Sequence, residues 1–198
     1  MTGRAQGPAH VPVADAGDPW VRLDDCLDRA PPGLHPWLAE PGLLTALVRR
    51  TCDGDTRFRL LRVERAPLAA ALARRMGVAD TGCVLREIEF ACGDTRWIFA
   101  QSLFPDSTVA QHPWLAELGN VTLGESLLGR PDVSRQPLEY RELAVDDELA
   151  VAVGGLVTPT WARRAVYHLS EAPILVQEVF LPALCLDGRT SSRPGSTA

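Results

Sequence analysis

Two charged residues, Arg86 and Glu178, sit inside stripes of the sequence that are otherwise apolar. Side chains alternate across a β-strand, so residues 84–90 divide into two faces. One face carries Val84, Arg86, Ile88 and Phe90, and the other carries Leu85, Glu87 and Glu89. Residues 174–180 divide in the same way, with Ile174, Val176, Glu178 and Phe180 opposite Leu175, Gln177 and Val179. A lone charge moved out of water costs several kcal/mol unless something neutralises it. Three arrangements meet that demand. Arg86 and Glu178 pair with each other, one stripe faces solvent, or both residues line an anion pocket. In the pocket reading Arg86 clamps a carboxylate bidentately, and Glu178 accepts a proton or a hydroxyl hydrogen bond.

Other residue types offer less. Arg163 and Arg164 are adjacent, so on a strand at most one of them enters a pocket, and a solvated edge suits the pair better. Ser102, Ser107, Ser126 and the four His form no G-x-S-x-G elbow, and there is no H-E-x-x-H. All 20 basic residues are Arg, which removes Schiff-base lysine chemistry and the P-loop lysine. Arg in place of Lys, alongside abundant Ala, Leu and Val, fits a GC-rich coding sequence. The five Cys are odd in number and lack a C-x-x-C, so neither a zinc site nor a disulfide framework is expected. No metal or cofactor is expected either.

A net charge of -5 speaks against a nucleic-acid or membrane surface as the partner. No apolar run approaches the length of a membrane span, and the N-terminus lacks a signal-like apolar core. A cytoplasmic protein in a reducing compartment, acting on a small molecule, is the expectation.

The elements that must position Arg86 and Glu178 are two hairpins. Residues 84–91 and 96–104 flank Cys92-Gly93-Asp94-Thr95, and residues 163–169 and 174–181 flank Ser170-Glu171-Ala172-Pro173. A strand is expected over 57–65, with further strands over 135–143 and 150–153. Helices are expected over 36–50, broken at Pro41-Gly42, and over 67–76, with Pro67 at its first position and Gly77 as its stop. Short helices are expected at 113–118 and 122–128. Paired hairpins with few long helices indicate an antiparallel α+β domain over 19–187. Residues 1–18 and 188–198, without apolar periodicity, read as flexible ends.

The ordered set of segments from about residue 36 to 183 resembles the chorismate pyruvate-lyase family and the wider 4-hydroxybenzoate synthase group of antibiotic biosynthesis. The matching pieces are Leu85-Arg86-Glu87-Ile88, residues 97–105 (WIFAQSLFP), residues 118–124 (LGNVTLG), Trp161-Ala162-Arg163-Arg164, and Glu178 through Pro182 (EVFLP). The resemblance implies a six-stranded antiparallel sheet with flanking helices around a buried aromatic-acid site that uses no metal or cofactor. It implies that Arg86 holds the ring carboxylate and Glu178 contacts the 4-hydroxyl. Backbone groups at Leu44 and Leu123 complete the carboxylate site, and Arg163 or Arg164 meets a second carboxylate. Two departures stand out: Gln101 replaces a common Arg, which would lower the local positive potential, and Ala162 replaces a Gly. They leave open another lyase or a cyclase on the same fold. Residues 67–105 are also similar to the effector-binding (UTRA) domains of GntR-type regulators. Too few residues precede Pro36 for the winged helix of those regulators, which leaves a stand-alone small-acid sensor as a further alternative.

Overall fold

The computed structural model describes residues 19–42, 44–127 and 130–187, without side chains at 185–187. The ends expected to be flexible, 1–18 and 188–198, lie outside the described residues.

Two hairpins form the middle of the sheet. In the first, β2 (Gly82–Cys92) and β3 (Thr95–Pro105) are joined at Gly93, whose φ of +58° suits a residue without Cβ. The second joins β6 (Thr160–Leu169) to β7 (Ala172–Phe180) through Ser170 and Glu171, which take φ values of 47° and 72°. A two-residue turn of this hand matches strand twist but is unfavourable for non-glycine residues. Asp132 anchors it, accepting from the Ser170 N–H at 2.8 Å and from its hydroxyl at 2.9 Å. Antiparallel pairing of β3 with β7 unites the hairpins, and β1 (Thr56–Pro67) adds to β2.

The far edge is shared. Both β4 (Val133–Arg135) and β5 (Glu139–Leu143) pair with β6, at opposite ends of its length. The sheet is therefore entirely antiparallel and seven-stranded, in the order β1-β2-β3-β7-β6-β4 with β5 also on β6. The expected α+β architecture is present. Its sixth place is filled by two short strands because residues 136–138 break the pairing between them.

Among the described residues there are seven short α-helices: α1 (His35–Ala39), α2 (Leu44–Thr51), α3 (Ala70–Met76), α4 (Asp106–Gln111), α5 (Leu123–Leu127), α6 (Glu148–Ala152) and α7 (Pro182–Asp187). The break at Pro41-Gly42 separates α1 from α2. Gly77, with φ +72°, ends α3 by donating to the Ala73 and Arg74 carbonyls. None of the described helices is long and apolar enough to cross a membrane.

On one sheet face, Trp37, Leu38 and Leu47 from α1 and α2 pack against Ile88, Phe90, Ile98 and Phe180. The opposite face carries α3, through Leu72 and Met76 on Leu85, Leu103 and Leu175. Nearby, Leu149 of α6 packs with Phe99, Ala162 and Val179. Burial at about 25 cal/mol per Å² of apolar surface on both faces holds the layers together.

Three expectations are corrected. Pro67 ends β1 instead of opening a helix, and α3 begins three residues later. Residues 150–153 belong to and follow α6, because Asp147 accepts from the Leu149 N–H and starts a helical turn there. Most consequentially, Cys52 and Cys92 form a disulfide, while Cys26 and Cys83 are buried free thiols. The pairing joins the residue after α2 to the last residue of β2, a neighbourhood that 40 residues of separation conceal. Closing a loop of that length stabilises by up to about 4 kcal/mol on the chain-entropy account. Urea unfolding of the oxidised protein should therefore show a higher midpoint than the Cys52→Ser/Cys92→Ser variant. Coincident curves would remove any stabilising role for the bond.

Candidate active site

Register places Arg86 opposite Ser102 of β3, which faces Val176 of β7. One step along, Ile88, Ala100, Glu178 and Arg163 form the next row on the same face. Two strand spacings and two residues of offset put the Arg86 and Glu178 Cα atoms about 12 Å apart. Between them β3 offers only the small side chains of Ala100 and Ser102, so the space above it is not filled from below. A cavity that opens to solvent occupies that space. Arg86 and Glu178 both line it, with Thr45, Thr122 and Tyr167 among the polar contributors and Ile88, Phe90 and Val176 among the apolar ones.

Arg86 is only 1% exposed. Its Nη2 donates to the carbonyls of Gly119 at 3.0 Å and Val121 at 2.6 Å, and its guanidinium lies 5.8 Å from the Phe58 ring. Its Nε is buried without a partner. Neutral carbonyls and an aromatic face do not cancel a full charge, and burial pulls the guanidinium down to about 10. It remains a cation at neutral pH. Among the described residues no carboxylate pairs with it, so a charged donor stands unneutralised in the cavity wall.

Glu178 is neutralised from behind. Its Oε2 accepts from Arg163 Nε at 2.6 Å, so the expected alternative in which Arg86 and Glu178 pair with each other does not occur. Arg163 Nη1 also donates to the carbonyls of Glu40 at 2.7 Å and Trp37 at 3.3 Å. One guanidinium thus joins the Glu178 carboxylate to the C-terminal end of α1, where carbonyls have no intrahelical donors.

Leu44 and Leu123 also line the cavity, each as the first residue of a helix. First-turn N–H groups have no partner within their own helix. At α5 the start is fixed by Thr122: the Glu125 N–H donates to Thr122 Oγ1 at 3.3 Å, and the Thr122 hydroxyl donates to Glu125 Oε2 at 2.6 Å. The capping pattern T-x-x-E was readable in the sequence, though its position beside Arg86 was not.

Arg164 lies on the opposite face. It donates from Nε to Glu139 at 2.8 Å and stacks 4.5 Å from the Trp20 ring. Both Arg163 and Arg164 are 2% exposed, which corrects the solvated edge expected for them. Gln101 is also on that opposite face, where it donates to Glu87 Oε1 at 2.7 Å. The position where the resemblance implies a departure from Arg therefore does not line the cavity. Ala162 packs on that face too, with Phe99 and Val179.

Sequence reading did not place Ser102, Tyr167 or Thr45 in the cavity. Ser102 was detectable as the polar break in the Phe104, Ser102, Ala100 stripe of β3. Tyr167 and Thr45 gave no signal, because an aromatic on a strand and a Thr in a helix are ordinary core residues. Among the described residues no group of three or more His, Cys, Asp or Glu is placed to hold a metal ion.

Comparison with known proteins fits this geometry. The Chorismate lyase family matches residues 17–188. A probable chorismate pyruvate-lyase of Coxiella burnetii is 31% identical over 161 residues, covering 79% of this chain and 86% of its own. The probable chorismate pyruvate-lyase of Nitrosomonas europaea is 33% identical, covering 78% and 90%. Among solved structures, the effector domain of PhnF from Mycobacterium smegmatis superposes with a TM-score of 0.54 at 14% identity, over 72% of this chain and 90% of that one. That likeness concerns the fold alone. The sequence match over nearly the whole described sheet, and over both strands that carry Arg86 and Glu178, makes this chain a member of the chorismate lyase family.

Proposed function

We propose that the protein converts chorismate to 4-hydroxybenzoate and pyruvate, with the cavity between Arg86 and Glu178 as the site. The observation that carries the reading is the buried, uncompensated Arg86 guanidinium facing a carboxylate across a ring-sized gap. A para-substituted ring with a carboxylate at one end and a hydroxyl at the other matches that polarity.

Breaking the C3–O ether releases the enol of pyruvate, and loss of the C4 hydrogen as a proton leaves an aromatic ring. Aromatisation supplies the driving force, so the protein's task is to hold one conformer and balance charge in a site shielded from water. Arg86 receives the ring carboxylate, assisted by the helix-start amides of Leu44 and Leu123. Glu178, fixed through Oε2 by Arg163, presents Oε1 to the 4-hydroxyl and orients C4. Arg163 is a positioning residue here, since it acts through Glu178. A carboxylate bound at Arg86 supplies the counter-charge that its surroundings lack.

Incubation with chorismate, followed by chromatography, should yield equal amounts of 4-hydroxybenzoate and pyruvate. Stabilisation by chorismate without any product would redirect the assignment to a small-acid sensor. Arg86→Ala and Glu178→Ala should each fold and lose at least about 100-fold in turnover. Product formation at the wild-type rate by both variants would exclude the assigned roles. In a thermal shift, 4-hydroxybenzoate should stabilise the wild type and leave Arg86→Ala unmoved. Arg163→Leu should cost about 3–5 kcal/mol in urea unfolding, because Glu178 and two α1 carbonyls lose their partner together. Glu178→Leu, which removes the other half of the pair while Arg163 keeps its carbonyl partners, should cost less.

A further inference from the structure

We infer that Arg135 is the binding residue for the second carboxylate of a dicarboxylate substrate, stationed at the mouth of the cavity. The inference rests on the chorismate assignment above and adds to it a residue that neither spacing nor alternation singled out.

The need for such a residue follows from a count of charges. Glu178 and Arg163 cancel each other, and Arg86 cancels one carboxylate of a dianion. A second carboxylate therefore requires a second cation at the Glu178 end, because the ether on C3 is one ring carbon from the hydroxyl-bearing C4. Arg163 is committed to Glu178 and to two α1 carbonyls. Arg164 is on the other face of the sheet with Glu139. Arg49 and Arg50 are paired with Glu125 and Glu40.

Arg135 meets the requirement. It is the last residue of β4 and stands in register with Tyr167 of β6, so their side chains share the cavity face. Tyr167 lines the cavity, as does Val133 two residues before Arg135. The guanidinium acts on the Tyr167 phenol, favouring its ionised form against the burial that opposes it, and its Nη1 donates to the Pro41 carbonyl at 3.0 Å. Pro41 precedes Gly42, another wall residue, so Arg135 spans the mouth from β6 to the α1–α2 connection. Its described hydrogen-bond partner is a neutral carbonyl, and Arg135 is exposed, so its charge is available to an incoming anion. Pro41 follows Glu40, whose carbonyl is held by Arg163, the partner of Glu178, which places the Arg135 guanidinium on the Glu178 side of the cavity. The cation at the mouth would also meet the carboxylate that departs with pyruvate.

The product offers a control within the same site. 4-Hydroxybenzoate has only the ring carboxylate, so a residue that reads the second carboxylate must discriminate between substrate and product. In Arg135→Ala, KM for chorismate should rise about 10- to 100-fold, the equivalent of one charge-assisted hydrogen bond. The dissociation constant for 4-hydroxybenzoate should stay within about twofold of the wild type. Arg135→Lys, which keeps the charge but loses the fork, should recover part of the chorismate affinity. An unchanged KM would overturn the inference. So would an equal loss for both ligands, since that would mark a structural role through Tyr167 and Pro41. Where wild-type protein makes no product, the same comparison is read from thermal shifts with chorismate and with 4-hydroxybenzoate. Loss of the chorismate shift alone in Arg135→Ala then sustains Arg135 without the lyase reaction. Equal shifts in both proteins overturn Arg135 alone, and no wild-type shift with either ligand overturns both assignments.

Discussion

A charge placed inside a protein has to be answered, and the Arg163–Glu178 pair organises much of this molecule by that rule. Arg163 sits on β6 and Glu178 on β7, directly opposite in register, with the carboxylate turned toward the cavity. The remaining donors of the guanidinium fasten the end of α1, whose Trp37 packs on Trp97 at 5.7 Å in an edge-on arrangement. The pair therefore couples three things: the centre of the sheet, the helix that covers it, and the orientation of a site carboxylate. Well-packed apolar residues would hold the same elements at no electrostatic cost, so retention of the pair is best understood through Glu178.

Arg86 is the opposite case. Its charge is buried and answered only in part, by two backbone carbonyls and an aromatic ring. Sites that bind anions accept this kind of local instability because the ligand relieves it. Turn residues 119–121 are held by the same guanidinium, so the chain segment leading into α5 is placed by the residue proposed to receive the substrate carboxylate.

Much of this was legible from strand alternation. Arg86 and Glu178 were visible as breaks in apolar stripes, and both hairpins were visible from their turns. What alternation could not show was partnership. Arg163 and Arg164 look equivalent as neighbours in a strand, yet one supports Glu178 and the other is buried with Glu139 and Trp20 on the far face. The face of Gln101 was hidden for the same reason: it follows from β3 register, which a one-dimensional reading did not apply to it. Arg135 was invisible because β4 is three residues long and has no period to interrupt. The Cys52–Cys92 bond depends on the lateral closeness of α2 and β2, a property of tertiary folding.

The face away from the cavity carries a polar row that crosses the sheet. Arg62 pairs with Glu87, Glu87 accepts from Gln101, Gln177 donates to Gln101, and in the adjoining strands Arg164 pairs with Glu139, which also accepts from Arg75 of α3. Sliding any strand by one residue would carry its member of that row into an apolar layer and strand its partners. The row thus acts as a vernier scale, fixing alignment between strands independently of what occupies the opposite surface. Residues on the cavity side are then released from the duty of setting register, so the cavity surface can be altered in shape and charge while the scaffold keeps its alignment.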